Sequence, residues 1–197
     1  MHGLVNRSLQ VFLQETYGHT TWAAISRRAG APANGFEPML SYDTQLTDAL
    51  IRAAEGILDK PRAAILEDLG TFLVSNERME RVRRLLRFGG EDFVEFLHSL
   101  EDLHGRARLA VPDLDMPMLE VTEEPPTGFS LSCSEPFAGA GHVMHGVLSA
   151  MADDYGALVL LDLIPPPAPG QAATISVDLL DTSYTEGRSF HLASGAG

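Results

Sequence analysis

The texture of the chain changes at Pro112, and that change limits the folds open to it. Before it, apolar residues recur every three or four positions, the period of a helix with one buried face. After it come short alternating or β-rich runs separated by turn residues, the period of a sheet. Leu4, Val5, Leu9, Phe12 and Leu13 mark a first helix that Gly18 ends, and Trp22, Ile25 and Ala29 mark a second that Gly30 closes. Residues 31 to 42 hold Pro32, Gly35 and Pro38 and read as a loop. Asp43 is placed to cap the next helix, whose inner face is Leu46, Leu50, Ala54 and Ile57. Asp59 and Pro61 open another, with an interruption expected near Gly70. A helix over 77 to 88 follows. Gly89-Gly90 breaks it, and a last helix runs from 91 to about 109.

Beyond Pro112 the strand candidates are 118–122, 128–134, 157–163, 174–180 and 188–192, with one helix over 141–154 among them. Pro125-Pro126 and Pro165-Pro166-Pro167 supply turns. The expected fold is therefore α+β. A helical subdomain of about residues 1–110 packs on an antiparallel sheet subdomain of about 111–197 that carries one inserted helix. Together they form a single domain of 197 residues, a length that suits one core.

Composition narrows the partners. Fourteen Lys and Arg against 27 Asp and Glu give a net charge of −13, which disfavours nucleic acid and anionic membranes. Arg78, Arg81, Arg84 and Arg87 recur at helix spacing and read as a solvated face. No apolar run reaches the roughly 18 residues of a membrane span, and the N-terminus lacks the form of a signal peptide. A cytoplasmic location is expected. Cys133 is the only cysteine, so an intrachain disulfide and a cysteine-rich zinc site are excluded, and a small strand residue is expected there. No P-loop, nucleophile elbow or His-Glu-x-x-His is present, so no enzyme activity is expected.

Within the last helix before Pro112, Phe93, Phe96, Leu97, Leu100 and Leu103 form an apolar stripe. His104 lies four residues after Leu100 and points with that stripe, whereas His98 sits on the polar face. By periodicity alone, His104 is a core histidine or a ligand.

Two blocks of sequence carry a resemblance. The opening MHGLVNRSLQVFLQETYG has a Met-x-Gly start, an apolar helix and a Tyr-Gly stop. The segment LRFGGEDFVEFLHSLEDLHGRARLAVPDLDMPML has an aromatic-led helix, Leu-x-x-Leu-His, a short connection and a proline. In this order and spacing they resemble the heme nitric oxide/oxygen binding (H-NOX) family, to which the haem domain of soluble guanylate cyclase is related. The resemblance implies a haem b held between the helical subdomain and the sheet, with His104 as the axial ligand of its iron. It makes Pro117 the proline that presses on the porphyrin, and Gly105 a point of freedom beside the ligand.

The family's propionate clamp, Tyr-x-Ser-x-Arg, corresponds to Ser132-Cys133-Ser134-Glu135-Pro136. Ser134 is retained, Ser132 stands for the tyrosine, and Pro136 for the arginine whose fork matches a carboxylate. Arg7 and Arg108 are the candidate replacements. Two outcomes follow: a haem protein with an altered clamp, which the retained His104 favours, or a haem-free interaction module of the same fold. Counting back from Gly146, Val143 takes the position where oxygen-binding members carry a tyrosine. With Val147, Val5, Leu9 and Leu73 it makes an apolar wall without a donor. The implied function is a nitric oxide sensor that excludes oxygen. Its implied effector is a separate diguanylate cyclase, phosphodiesterase or histidine kinase. A slip of one residue would put His142 in the pocket instead. His142 and His145, at i,i+3, lack a third ligand at regular spacing, so solvated histidines are expected there rather than a metal pair.

Overall fold

The computed structural model describes residues 1–168 and 170–189. Eight α-helices and four strands follow one another in these residues. They are α1 (Gly3–Tyr17), α2 (His19–Ala29), α3 (Thr44–Leu58), α4 (Arg62–Ser75), α5 (Glu80–Arg87), α6 (Phe93–Ser99), α7 (Leu103–Ala110), β1 (Leu119–Glu124), β2 (Gly128–Cys133), α8 (Ala140–Tyr155), β3 (Leu158–Ile164) and β4 (Ala173–Asp181). A 3-10 turn over Glu77–Met79 precedes α5. The sheet is antiparallel in the order β1-β2-β4-β3. This is the expected α+β fold with one helix inserted between β2 and β3. The run expected at 188–192 lies outside the described residues beyond Ser189, and Arg188 and Ser189 are not strand. No helix among the described residues is long and apolar enough to cross a membrane.

Local chemistry explains the helix ends. The His2 ring accepts from the Leu4 amide at 3.2 Å and caps α1. The Gly3 amide donates to the Leu40 carbonyl at 2.7 Å, and a Cβ on Gly3 would overlap the Glu37 carbonyl. Glycine at this position lets the 37–40 loop lie on α1. Asp43 caps α3 as expected, its Oδ1 accepting from the Gln45 amide at 2.9 Å. Gly30 closes α2 at φ 69°, a left-handed position that suits glycine.

Two expectations about helices are corrected. The helix through Gly70 is not interrupted: α4 runs unbroken from Arg62 to Ser75. Gly70 is instead a notch, because a Cβ there would overlap the Val143 carbonyl and come within 2.8 Å of the Val147 amide. Gly146 is the reciprocal notch, where a Cβ would overlap the Glu67 carbonyl. Glycine's missing side chain is used here for backbone contact between α4 and α8. Conversely, the helix expected over 91–109 is broken at 100–102 into α6 and α7. The apolar stripe continues across the break, so periodicity did not reveal it.

Buried side chains form two clusters. One belongs to α1–α4 and includes Leu9, Phe12, Leu13, Ile25, Leu50, Leu66 and Phe72. The other joins the sheet to α6, α7 and α8 through Phe93, Phe96, Leu97, Leu100, Leu131, Ile175, Val177 and Met151. Phe96 is fully buried, a contribution of about 1.5–3 kcal/mol relative to exposure. The seam between the clusters passes through α4 and α8, not near residue 110. Phe72 and Leu73 pack on the helical side and Val74 on the sheet side, and Val143 and Val147 divide in the same way.

Candidate functional site

His104 is the second residue of α7, between the buried anchors Leu103 and Ala107, each 2% exposed. The residue is half-buried, yet its Nδ1 is enclosed and has no hydrogen-bond partner among the described residues. A buried polar atom left unpaired costs about 1–3 kcal/mol, so such an atom calls for an explanation. Arg106 stitches the short helix in place, donating to the Leu85 carbonyl at 3.2 Å and to the Ser99 carbonyl at 2.9 Å. A Cβ on Gly105 would meet nothing within 4 Å, so no close approach requires glycine there. His98, by contrast, is exposed and pairs with Glu123 at 3.2 Å.

Pro117 is half-buried just before β1, and its neighbour Met116 packs on the sheet-side cluster. The loop that carries it is tied to the start of the chain. Asp115 Oδ2 accepts from the His2 amide at 3.2 Å and lies 3.6 Å from the N-terminal ammonium. Leu9, Leu73 and Val143 share the helical-side cluster, while Val147 faces the sheet side and Val5 is half-buried on α1. The wall residues thus fall mostly on one side of the seam. The chain neighbours of His104 and Pro117 fall on the other.

The clamp segment has structural work of its own. Ser132 stands in β2 between Glu120 and Thr174, on the face opposite the buried Leu131 and Cys133. Ser134 Oγ accepts from the Met118 amide at 2.7 Å, which ties the end of β2 to the start of β1. Glu135 Oε1 accepts from the amides of Gly139 (3.3 Å) and Gly141 (3.4 Å) at the N-terminus of α8. Pro136 holds no guanidinium, and neither candidate replacement is shown to reach this segment. Arg108 is exposed and donates to the Pro112 carbonyl at 3.1 Å, and Arg7 is half-buried on α1. Arg62, not singled out from sequence, does reach the neighbouring loop. It donates to the Ala138 carbonyl and to Asp48, both at 2.8 Å.

His142 and His145 do not converge. His142 Nδ1 lies 2.9 Å from Glu67 Oε1, and His145 Nε2 lies 3.4 Å from the Leu161 carbonyl. His142 lines an outer cleft of about 440 Å³ with Arg62, Glu135, Leu163 and Pro165. Among the described residues no group of three His, Cys, Asp or Glu is placed to hold a metal ion. Cys133 is fully buried, and burial pushes its thiol up to about 12, with Glu135 adding to the shift.

Sequence reasoning missed one polar cluster, and it corrects the reading of the arginine run. Arg81 and Arg84 are exposed as expected. Arg83 and Arg87 are instead turned inward, with side chains 11% exposed, onto Asp154 at the end of α8. Arg83 Nε lies 2.8 Å from Asp154 Oδ1 and Arg87 Nε 3.6 Å from Oδ2. The Arg87 guanidinium also stacks 3.8 Å above the Tyr155 ring, and Tyr155 donates to the Gly90 carbonyl at 2.9 Å. The only signal was four-residue spacing of Arg83 and Arg87. Their partner is about 70 residues away.

On the ligand side, an iron porphyrin would meet the imidazole of His104, whose Nδ1 is enclosed and without a partner among the described residues. The clamp side lacks the arginine. The sequence matches the Haem-NO-binding family over residues 2–160. The chain belongs to that family. It is an H-NOX domain, and H-NOX domains are haem-based gas sensors. It is 24% identical over 154 residues to soluble guanylate cyclase gcy-31 of Caenorhabditis elegans, covering 78% of this chain and 22% of that protein. It is 20% identical over 155 residues to soluble guanylate cyclase 89Db of Drosophila melanogaster, covering 79% of this chain and 23% of the cyclase. The chain therefore spans about a fifth of these relatives' length. Among solved structures, an unliganded Fe(II) H-NOX protein from K. algicida superposes with a TM-score of 0.78 at 15% identity, covering 94% of this chain and all of that one. A mutant H-NOX protein from S. oneidensis in the Fe(II) state superposes with a TM-score of 0.79 at 16% identity, covering 93% and 98%. At these identities the likeness is one of fold.

Proposed function

We propose that this H-NOX domain binds haem b through His104, senses nitric oxide while excluding oxygen, and signals to a separate effector protein. The observation that carries the reading is the enclosed, unpartnered Nδ1 of His104. It marks an imidazole packed into the protein with one nitrogen unused, and an iron on the ring would give that histidine a role. When bound, the haem would supply an iron able to take up a diatomic gas. The chain's residues decide which gas. Val5, Leu9, Leu73, Val143 and Val147, the proposed distal wall, are all apolar. None can donate to the partial negative charge of bound dioxygen, whereas nitric oxide needs no donor. His142 is held outward by Glu67, which supports Val143 rather than His142 as the wall residue. Pro117 would press on the porphyrin from the loop that Asp115 anchors. Ser134 keeps its hydroxyl proton free to donate, since its oxygen accepts from Met118, and Ser132 offers a second hydroxyl.

His104 sits in the first turn of a helix of only eight residues, separated from α6 by a break. So short a helix could shift without the unwinding of a long one. The effector would be a diguanylate cyclase, phosphodiesterase or histidine kinase, and the domain itself is not the catalyst. We read residues 1–197 as one sensing unit.

Absorption spectra of the full chain, purified and then incubated with haemin, test this. A Soret band that moves with nitric oxide and is unchanged in air is expected. A protein still colourless after haemin would overturn the reading. It would favour a haem-free interaction module of the same fold, which the missing clamp arginine also suits.

A further inference from the structure

The chain does not leave the molecule directly after β4. It folds back across the outer end of α8. The Thr185 amide donates to the Gly156 carbonyl at 3.1 Å and the Arg188 amide to the Asp154 carbonyl at 2.9 Å. Arg83 of α5 reaches the Ser189 carbonyl at 3.4 Å. Two glycines permit this approach. A Cβ on Gly187 would stand 2.7 Å from the Tyr155 carbonyl carbon and 2.8 Å from the Asp154 oxygen, and one on Gly156 would overlap the Thr185 carbonyl.

Nothing apolar holds the segment down. Every residue from 182 to 189 is exposed, and Tyr184 is 61% exposed. What lies beneath is charged and buried. Asp154 is 1% exposed, with Arg83 at 2.8 Å, Arg87 at 3.6 Å and Arg188 of the segment itself at 3.7 Å. Asp154 is thus a shared node. Its carboxylate faces the arginines of α5, while its backbone carbonyl and carboxylate both face the returning segment. The next residue, Tyr155, binds the same helix end to α6 through the Gly90 carbonyl and through Phe93 and Phe96, whose ring centroids are 6.2 and 5.7 Å away.

We propose that residues 182–189 are a detachable strap, docked only while the end of α8 is seated on α5 and α6. A shift of α8 against those helices withdraws the carbonyls and the carboxylate that hold the strap. It thereby passes the shift to whatever lies beyond β4. Directional polar contacts suit such a device, because they are lost with small displacements whereas apolar contacts slide. The mechanism needs no haem and stands apart from the sensing proposal.

The test is limited trypsin digestion of the full chain, following cleavage after Arg188 by mass spectrometry, with hydrogen exchange of the 182–189 and 142–152 peptides. Gly187→Ala puts a methyl into the strap's closest approach. It is expected to speed cleavage about tenfold, equivalent to about 1.4 kcal/mol of docking, with exchange in 142–152 unchanged. Tyr155→Leu touches no strap residue by its side chain but loosens the α8 end from Gly90 and Arg87. It is expected to speed the same cleavage about fivefold. Wild-type cleavage as fast as Gly187→Ala would mean that no strap is docked. Acceleration by Gly187→Ala alone would leave a docked tail without coupling to α8, and would overturn the device. Should Tyr155→Leu fail to fold, Tyr155→Phe, which removes only the Gly90 hydrogen bond, is to give an acceleration of about twofold, and no change would count equally against it.

Discussion

The two sides of the candidate pocket have fared differently. On the ligand side, the Nδ1 of His104 is enclosed and bonds to nothing among the described residues. On the clamp side, the retained Ser134 and its neighbour Glu135 both hold backbone amides, at the β1–β2 end and at the start of α8. The positions that depart from the family, Ser132 and Pro136, have no such bonds. A retained clamp residue is therefore weak testimony for haem, because the fold alone can require it. A retained histidine that costs the fold something is stronger testimony. The comparison also locates the departure from the family motif: at Ser132 and Pro136, not at His104.

The comparison can be broken most directly at His104. Replacement by Ala is expected to abolish the Soret band, with imidazole added to the medium restoring part of it. A spectrum unchanged by His104→Ala would remove the residue from the ligand role. The same variant without haem is to be as stable as the parent or up to about 1 kcal/mol more so, since an unpaired buried atom is removed. Urea titration of the haem-free protein reads this. A loss of 2 kcal/mol or more, roughly the cost of deleting a real buried partner, would show that the ring already had a structural bond.

On the clamp side, Pro136→Arg supplies the missing guanidinium. Haem is expected to bind about tenfold more tightly, roughly the worth of one charge-assisted hydrogen bond. Competition for haemin against a haem-scavenging protein measures it, and an unchanged affinity would show that the altered clamp is not a defect in grip. Ser134→Ala sharpens the point from the other direction. It should cost about 1 kcal/mol of folding stability by denaturant titration, through the lost Met118 contact, with a smaller effect on haem affinity. At neutral pH the smallest effect is at Cys133, between the two serines. Burial raises its folded-state pKa from 9.0 to about 12, so only the unfolded thiol ionises between those values. Stability is then fully present below pH 9 and falls as the pH rises toward 12, by at most about 1.4 kcal/mol per pH unit from this group. Relative to Cys133→Ala, the parent should show this extra alkaline loss, and its thiol should stay unreactive to a thiol reagent at pH 8.

Much of the fold was legible in single residues. Asp43 announced a helix start, Gly18 and Gly30 announced stops, and alternation after Pro112 announced the strands. These signals are local, since a cap or a turn depends on atoms a few residues apart. What was not legible depended on contacts distant in sequence. Gly70 reads as a helix breaker until α8 is seen lying on it with Gly146 in return. Leu100 and Leu103 keep helical spacing across a break, because α6 and α7 bury their apolar faces in the same cluster. Arg87 reads as solvated because its partner, Asp154, comes some 70 residues later. Near the proposed wall, nothing in the sequence announced that His142 would pair with Glu67 on α4, 75 residues earlier in the chain.

By itself the sequence determined the class of fold and the family, and singled out His104 as the proposed ligand, because periodicity, caps and ordered motifs are written along the chain. The tertiary structure decided that the Nδ1 of this histidine is enclosed without a partner among the described residues, and that Ser134 and Glu135 serve the backbone. It also decided that Asp154 gathers α5, α8 and the strap, because burial and pairing exist only once distant segments meet.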